Sequence, residues 1–213
     1  MKNYNTPENQ TTRRTLLIAY ATALTVAFTA SLPQPSHADH DDDVTPPPVP
    51  STLQVPAGNE AFLKGFAVGT QNYICLPSGS GFAWTFFGPQ ATLFDDDDKQ
   101  VITHFLSANP DENGTPRPTW QHSKDTSTVW AMVAPFSTPV FVTPGAIPWL
   151  LLQVVGDQDG PTDGYKLTTT TFIHRLNTSG GVAPSTGCTL STDVGKKALV
   201  PYTADYFFYT DAE

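Results

Sequence analysis

Positive charge is scarce in this sequence. The 213 residues include 11 Lys and Arg against 20 Asp and Glu, which gives a formal net charge of −9 at pH 7. Binding to nucleic-acid phosphates or to anionic lipid needs clustered Lys or Arg. We therefore expect no nucleic-acid partner and no attraction to an anionic membrane surface.

Long apolar runs are also absent. The longest candidate, "LLIAYATALTVAFTA" at residues 16–30, has only 15 residues and several Thr, whereas a membrane-spanning helix needs roughly 20 predominantly apolar residues. The run follows Arg13-Arg14 and precedes Ser36-His37-Ala38, where small residues occupy the positions that a signal peptidase reads. We interpret residues 1–38 as a signal peptide cut after Ala38. The protein is then exported, to the periplasm, cell surface or medium, with no membrane span after cleavage, and the arginine pair leaves both the general secretory and the twin-arginine routes open.

Cleavage after Ala38 would remove three positive charges and one negative charge, so the net charge would become −11. The next segment, "DHDDDVTPPPVPST" at residues 39–52, is acidic and then proline-rich. Such a composition is typical of a disordered leader or linker that forms no core. Residues 53–213 are long enough for one domain with one core.

Only two cysteines occur, Cys75 and Cys188. An even cysteine count in an exported chain favours a disulfide. Two separate buried thiols are the alternative, and a catalytic thiol is disfavoured because neither cysteine has a neighbouring His in the sequence.

Sustained helical periodicity is missing as well. From Leu53 onward, short runs rich in Val, Thr, Phe, Tyr and Ile are broken every eight to twelve residues by Gly, Pro, Asn or Asp, a pattern of strands and turns. It predicts an all-β fold, an antiparallel sandwich or barrel of about ten strands. The predicted strands lie near residues 61–68, 70–76, 82–87, 91–95, 100–106, 127–134, 148–155, 165–175, 197–202 and 205–210.

Acidic residues are concentrated in two places. The four aspartates at residues 95–98 lie between two runs of strand composition, where a hairpin has to reverse, and Asp suits turns because its carboxylate binds nearby backbone amides. In "GDQDGPTDG", Asp157, Asp159 and Asp163 alternate with glycines and form a weak candidate calcium site, with a plain polar loop as the alternative.

Motifs of enzyme chemistry are lacking. There is no Gly-x-Ser-x-Gly nucleophile elbow, no His-Glu-x-x-His zinc helix and no phosphate-binding lysine loop. We therefore expect no cofactor beyond that candidate calcium, and favour a noncatalytic β-sandwich that binds a small ligand, a glycan or a surface partner. The alternative is a secreted hydrolase or isomerase whose site forms only in three dimensions, for instance from His104, His122 and Asp125.

A series of short motifs along residues 53–210 resembles a known family. They are "LQVPAGNEAF", "NYIC", "ATLFD", "THF", "PTW", "IPWLLL", "FIHRLNTSGGVAP" followed by Cys188, and "VPYTADYFFY". In this order they resemble a family of secreted bacterial and fungal proteins that is classed only as a domain of unknown function. The resemblance implies an extracellular β-rich domain with paired cysteines and implies no activity. Some fungal members carry a malate dehydrogenase label, but this chain has none of the residues that such a label requires.

The recurring aromatic and polar residues of these motifs mark a candidate ligand site at His104, Trp120, Trp149 and Arg175. Trp and Arg together suit sugars or other planar polar ligands, through stacking and forked hydrogen bonds. For each residue a structural role is the alternative: Trp149 as core, Trp120 as a plug at the end of the fold, and Arg175 as the partner of a local carboxylate. The chain also carries the insertion "LSANPDENGTPR" next to His104 and Trp120, where the family is usually shorter.

Overall fold

The computed structural model describes residues 44–212. The predicted signal peptide and the acidic residues 39–43 lie outside them and stay predictions. The described chain is all-β, with three single-turn 3-10 helices, one before β1 and two between strands. The strands are β1 (Asn59–Ser78), β2 (Gly81–Phe94), β3 (Gln100–Asn109), β4 (Thr115–His122), β5 (Thr128–Val133), β6 (Leu150–Gln158), β7 (Phe172–Gly180) and β8 (Lys197–Asp211).

The eight strands form one closed antiparallel barrel. Each strand pairs with the next in sequence, and β8 returns to pair with β1 from Asn59↔Asp211 to Ile74↔Lys197. Closure pairs the outer strands of the sheet with each other and so removes its exposed edges. The prediction of an antiparallel all-β fold is confirmed in its barrel alternative; the described residues do not form a two-sheet sandwich.

The structure has eight strands where about ten were predicted, because three pairs of predicted strands are continuous and one strand was not predicted. Gly69 separates the predicted strands 61–68 and 70–76, but a Cβ at this position would collide with the backbone of Gln90 and Ala91 on β2, so the glycine permits close contact between β1 and β2. In β2, residues 82–87 and 91–94 join through a bulge at Phe87 and Gly88, and β8 runs unbroken from Lys197 to Asp211.

One strand, β4, was not predicted because its sequence, "TPRPTWQH", contains two prolines. Pro116 and Pro118 pair with β3 only, since β4 pairs with β5 only from Thr119 to Gln121. Proline is tolerated where a strand lacks a neighbour on one side. The residues of the insertion before these prolines extend β3 to Asn109 and form a tight turn at residues 110–114.

The two ends of the barrel differ. We call the end at which β1 begins and β8 ends the closed end; side chains fill it, among them Leu93, Ile102 and Phe208, all without solvent exposure. The β6–β7 connection, part of which was predicted as strand 165–175, crosses this end and contributes the buried Leu167. The opposite end, which we call the open end, carries the β5–β6 and β7–β8 loops.

Residues 44–55 run along the outside of the barrel and contain no strand. Leu53 is fully buried in a cluster with Ala134 and Leu151, and Val49 packs against this cluster and against a second one on β7 and β8. The carbonyl of Leu53 accepts a hydrogen bond of 2.6 Å from Nε2 of His174. The end of the proline-rich segment therefore packs on the outer face of the sheet.

The predicted disulfide is confirmed. Cys75 near the end of β1 is bonded to Cys188 in the β7–β8 loop, with 5.5 Å between the Cα atoms. The same loop receives hydrogen bonds from Trp84 Nε1 to the Thr186 carbonyl (2.8 Å) and from the Tyr73 hydroxyl to the Gly181 carbonyl (2.7 Å). These three links attach the loop to β1 and β2 at the open end.

The hairpin prediction for the Asp run agrees with the structure. Residues 95–99 connect β2 and β3, and Asp95 Oδ1 accepts hydrogen bonds from the backbone N–H groups of Asp97 (3.0 Å) and Lys99 (2.8 Å). Within residues 44–212, no helix is long and apolar enough to cross a membrane.

Candidate functional site

A cavity of about 390 Å³ lies inside the open end of the barrel. Its wall combines residues of all eight strands with Ile147 from the β5–β6 loop. The lining residues are mostly apolar or aromatic: Gln71, Tyr73, Phe86, Pro89, His104, Arg117, Pro118, Trp120, Met132, Val133, Ile147, Leu150, Leu152, Arg175 and Tyr206.

His104 and Trp120 form one side of this cavity. They occupy directly paired positions on β3 and β4, so their side chains project from the same face of the sheet. Their rings stack with centroids 4.2 Å apart and an interplanar angle of 16°, and Tyr206 lies 5.3 Å from His104 and 5.8 Å from Trp120. The three rings make a rigid aromatic surface.

The protonation state of His104 follows from its surroundings. Its Nδ1 lies 2.8 Å from the Thr119 carbonyl, which can only accept, so Nδ1 carries the hydrogen and Nε2 the lone pair. Burial lowers the pKa of His104 to about 3, with the charge of Arg175 acting in the same direction and the bond to Thr119 opposing it. His104 is therefore neutral at physiological pH, and Nε2 accepts rather than donates.

Arg175 brings a positive charge to the cavity. It pairs with Leu150 on β6 and with Tyr206 on β8, two inward-facing residues. Its Nε and Nη2 donate to the Pro148 carbonyl at 3.2 and 2.9 Å. None of the ion pairs among residues 44–212 includes Arg175.

Arg117, the only other arginine in residues 44–212, is fully paired by contrast. Its Nε and Nη2 donate to the two carboxylate oxygens of Glu112 at 2.7 and 2.6 Å. This pairing lowers the pKa of Glu112 to about 2, with Asn109 contributing a further hydrogen bond. Arg175 is thus the unneutralised cation of the cavity wall.

Two buried donors of the wall lack hydrogen-bond partners in the described part of the chain: Gln71 Nε2 and Trp120 Nε1. Both residues are almost fully buried: Gln71 is 3% exposed and Trp120 is 1% exposed. The Gln71 amide lies near the Tyr202 hydroxyl, but the two groups do not meet the geometry of a hydrogen bond. A buried donor without a partner costs about 1–3 kcal/mol. The cavity therefore offers N–H groups that an acceptor inside it would satisfy.

The tyrosines near the cavity remain protonated. Burial raises the pKa of Tyr73, Tyr202 and Tyr206, and the Arg175 guanidinium opposes this rise in each case. The Tyr202 and Tyr206 hydroxyls are 3.4 Å apart. These residues supply neutral hydroxyls and no general base.

Of the four predicted ligand-site residues, the structure brings His104, Trp120 and Arg175 to one cavity. Trp149 lies elsewhere: it packs outside the barrel against the two clusters that contain Leu53 and Phe207. Trp149 directly precedes the inward-facing Leu150, the first residue of β6, and successive side chains of extended backbone face opposite sides of the sheet. Trp149 therefore has the packing role that was given as its alternative. Ligand binding by His104, Trp120 and Arg175 stays a prediction.

Sequence reasoning did not name Gln71, Tyr73 or Tyr206. The period-two pattern of β8, in which Tyr202, Ala204, Tyr206 and Phe208 are all buried, is a signal that would have placed Tyr206 inside. No comparable local signal marks Gln71, a polar residue in a strand.

His122 and Asp125 form a separate pair in the β4–β5 turn, toward the closed end. Nδ1 of His122 lies 2.8 Å from Asp125 Oδ1. Asp125 also accepts hydrogen bonds from Ser127 N (3.0 Å), Ser127 Oγ (2.8 Å) and Lys166 N (2.8 Å). Burial raises the pKa of Asp125, but these bonds outweigh it and bring the value to about 2. The hydrogen bond of His104 goes to the Thr119 carbonyl, and none of the hydrogen bonds among the described residues links His104 to His122 or Asp125.

The acidic loop does not gather its carboxylates at one point. Asp157 lies in β6 opposite Val129, and Asp163 lies in a turn closed by a hydrogen bond from Gly160 N to the Gly164 carbonyl (2.7 Å). Burial and the carboxylates of Asp111 and Asp159 raise the pKa of Asp157. Within residues 44–212, no three His, Cys, Asp or Glu residues are grouped so that they could hold a metal ion; the calcium site stays a prediction from sequence.

Comparison with known proteins adds a family and no activity. No significant match was found among curated proteins or among solved structures. A family model described as "Protein of unknown function (DUF3455)" matches residues 56–210, which include all eight strands except the last residue of β8, Asp211. This match confirms the predicted membership in a domain family of unknown function. The chain belongs to the DUF3455 family.

Proposed function

We propose that this protein is an exported, noncatalytic barrel that binds a small, largely apolar ligand in its open-end cavity. The observation that carries the proposal is the cavity itself, about 390 Å³ in volume, with an apolar wall and a few polar groups. Small-molecule sites typically enclose about 300–1,000 Å³ and have this composition.

The contrast between the two ends supports a binding role. An eight-stranded barrel is just wide enough to be filled by side chains or to hold one small ligand. In this barrel, Leu93, Ile102 and Phe208 fill the closed end. At the open end the wall residues leave space, and the unpartnered Gln71 and Trp120 donors border it.

The composition of the wall favours a small apolar ligand over a glycan. Sugars need many hydrogen-bonding partners, but Phe86, Met132, Leu150 and Leu152 make much of this wall apolar. A surface partner would need no internal space. Among the three ligand classes considered from sequence, the small molecule is the one that this geometry fits.

A hydrolase or isomerase remains the second candidate, because His104 and Arg175 share the cavity. The cavity wall lacks the catalytic groups that such an enzyme needs. A His with a pKa of about 3 is a weak base at neutral pH. No Asp, Glu, Ser or Cys is found among the described residues that line the cavity. The wall therefore offers neither a nucleophile nor a carboxylate to assist His104.

Export is part of the proposal and rests on two features. The Arg13-Arg14 pair, the apolar run and the Ser36-His37-Ala38 site form a signal sequence, and the Cys75–Cys188 disulfide is typical of oxidising compartments.

A cavity-filling variant tests the proposal. Leu150→Trp puts a larger side chain into the cavity, and Leu199→Trp makes the same change on the outer surface, where Leu199 is 59% exposed. Small apolar compounds would be screened against the mature protein by thermal shift, and hits would be measured by calorimetry. We expect hits to lose at least tenfold in affinity with Leu150→Trp and to keep it with Leu199→Trp. Equal affinities in both variants, or turnover of a bound compound, would contradict the proposal.

A further inference from the structure

The unneutralised Arg175 distinguishes this cavity from a merely apolar one. A buried or half-buried charge is normally paired, because removing it from water is costly. Arg117 follows this rule through Glu112, and Arg175 does not: its neighbours are the neutral Pro148 carbonyl, which accepts its hydrogen bonds, and the neutral Tyr206 hydroxyl. A guanidinium has five N–H donors, of which two are used there, and the Tyr206 hydroxyl lies beside the group. Donors therefore remain for a ligand.

The charge of Arg175 acts throughout the cavity. It affects the ionisation of Tyr73, His104 and Tyr206, all of which line the wall. In a low-dielectric site, such a charge attracts an anion more strongly than it would in water. The protein as a whole carries a net charge of −9, which disfavours anions elsewhere on the molecule.

We propose that the ligand is a small monocarboxylic acid, with its carboxylate on Arg175 and its apolar body against the stacked rings of His104 and Trp120. This inference rests on the proposed binding function and specifies its ligand class. The Arg fork matches the two oxygens of a carboxylate. The Gln71 and Trp120 N–H groups, which lack partners in residues 44–212, are further donors to acceptor atoms in the cavity.

The chemistry of the wall favours one negative charge over two. Arg175 is the unpaired cation, since Glu112 neutralises Arg117 and His104 is neutral. A phosphate monoester, with up to two charges at neutral pH, would leave part of its charge uncompensated in an apolar site. The volume of 390 Å³ equals that of roughly 13 water molecules in the liquid, enough for a ring or a short branched chain with its carboxylate.

The test compares acids with neutral compounds of the same shape. Phenylacetate, cyclohexanecarboxylate and octanoate would each be titrated beside the corresponding amide, together with phenyl phosphate, by ligand-observed NMR on the mature, disulfide-bonded protein. We expect at least one acid to bind tenfold or more tightly than its amide and more tightly than phenyl phosphate. This comparison needs no variant and holds whatever a substitution does to folding.

Variants then assign the preference to Arg175. Arg175→Gln should abolish the preference for acid while leaving amide binding within about twofold, and Arg175→Lys, which keeps the charge but not the fork, should retain part of it. Lys99→Gln, which removes a positive charge from the exposed β2–β3 turn outside the cavity, is the matched control and should keep the preference. Near-UV circular dichroism would check that each variant has the native fold.

Each outcome has a definite meaning. An acid preference that depends on Arg175 supports the inference. Amides that bind as tightly as acids would overturn it and leave the cavity-binding function standing; tighter binding of phenyl phosphate would replace the carboxylate by a phosphate. If no acid, amide or phosphate binds, both this inference and the proposed function are wrong.

Discussion

His104 and Trp120 lie face to face across the β3–β4 pair, with ring centroids 4.2 Å apart. The histidine of this pair is neutral because it is buried, and its ring edge and that of Trp120 border the same cavity. Two residues 16 positions apart in the sequence thus form one side of the cavity. The intervening residues complete β3 and form its turn to β4, and His104 and Trp120 lie in register across the two strands.

Protonation of His104 makes stability depend on pH. Its folded pKa of about 3 lies below the unfolded value of about 6.5. Between these values the unfolded chain binds a proton that the folded chain does not. Stability is therefore full above pH 6.5 and falls with decreasing pH toward pH 3, by at most about 1.4 kcal/mol per pH unit from this residue.

Urea unfolding of the wild type and of His104→Gln at several pH values between 3 and 7 measures this contribution. The variant should show a shallower dependence, although the buried His174, whose pKa burial also lowers, adds a slope of the same sign in both proteins. Identical slopes in the two proteins would show that His104 does not resist protonation.

Reduction of the Cys75–Cys188 disulfide should lower the melting temperature. The bond closes a loop with a sequence separation of 113 residues, for which chain entropy gives about 5 kcal/mol at most. At roughly 2–4 °C per kcal/mol for a protein of this size, we expect a decrease of several degrees or more. Calorimetry with and without reductant measures it, and thiol titration of the untreated protein should find no free thiol. Two titratable thiols and an unchanged melting temperature would contradict the bond.

Gly69→Ala should destabilise the barrel. A Cβ at Gly69 would collide with the β2 backbone at Gln90 and Ala91, and overpacking of this kind costs about 1–3 kcal/mol or more. Gly81→Ala is the matched control, because its Cβ would meet nothing closer than the Ser78 carbonyl at 4.0 Å. Chemical denaturation of both variants tests the close approach of β1 and β2; equal stabilities would count against it.

Leu53→Ala tests whether the segment outside the barrel belongs to the folded unit. Leu53 is fully buried against Ala134 and Leu151, and such a truncation typically costs about 2–5 kcal/mol. The same substitution at Leu190, which is 61% exposed, should change stability by less than about 0.5 kcal/mol. If Leu53→Ala is equally neutral, the segment does not contribute to the fold.

Several features of the fold followed from the sequence. Short runs of β-branched and aromatic residues predicted the strands, and the cysteine count predicted the disulfide, because both depend on local composition. The errors lie where contacts between distant residues determined the strand boundaries. The predicted strands 61–68 and 70–76 are separated at Gly69, which the structure needs for close contact with β2. The prolines of β4 concealed a strand that, along this stretch, pairs with β3 only.

The candidate site divides in the same way. Aromatic and basic residues in the motifs singled out His104, Trp120, Trp149 and Arg175, but residue type alone does not tell which face of a strand is the inside. Trp149 points outward and Arg175 inward, and this follows from how the sheet closes. Gln71 could not be found because a polar strand residue usually faces solvent.

The sequence by itself determined the all-β class, the paired cysteines, the acidic balance and the family, since these reside in composition and in the order of short motifs. Only the tertiary structure decided that eight strands close into one barrel and that side chains fill one end while a cavity occupies the other. It also decided that Arg175 forms no ion pair with a carboxylate of residues 44–212. The reason is physical. A period of two residues specifies which side chains share a face, whereas closure and charge pairing depend on residues far apart in the chain.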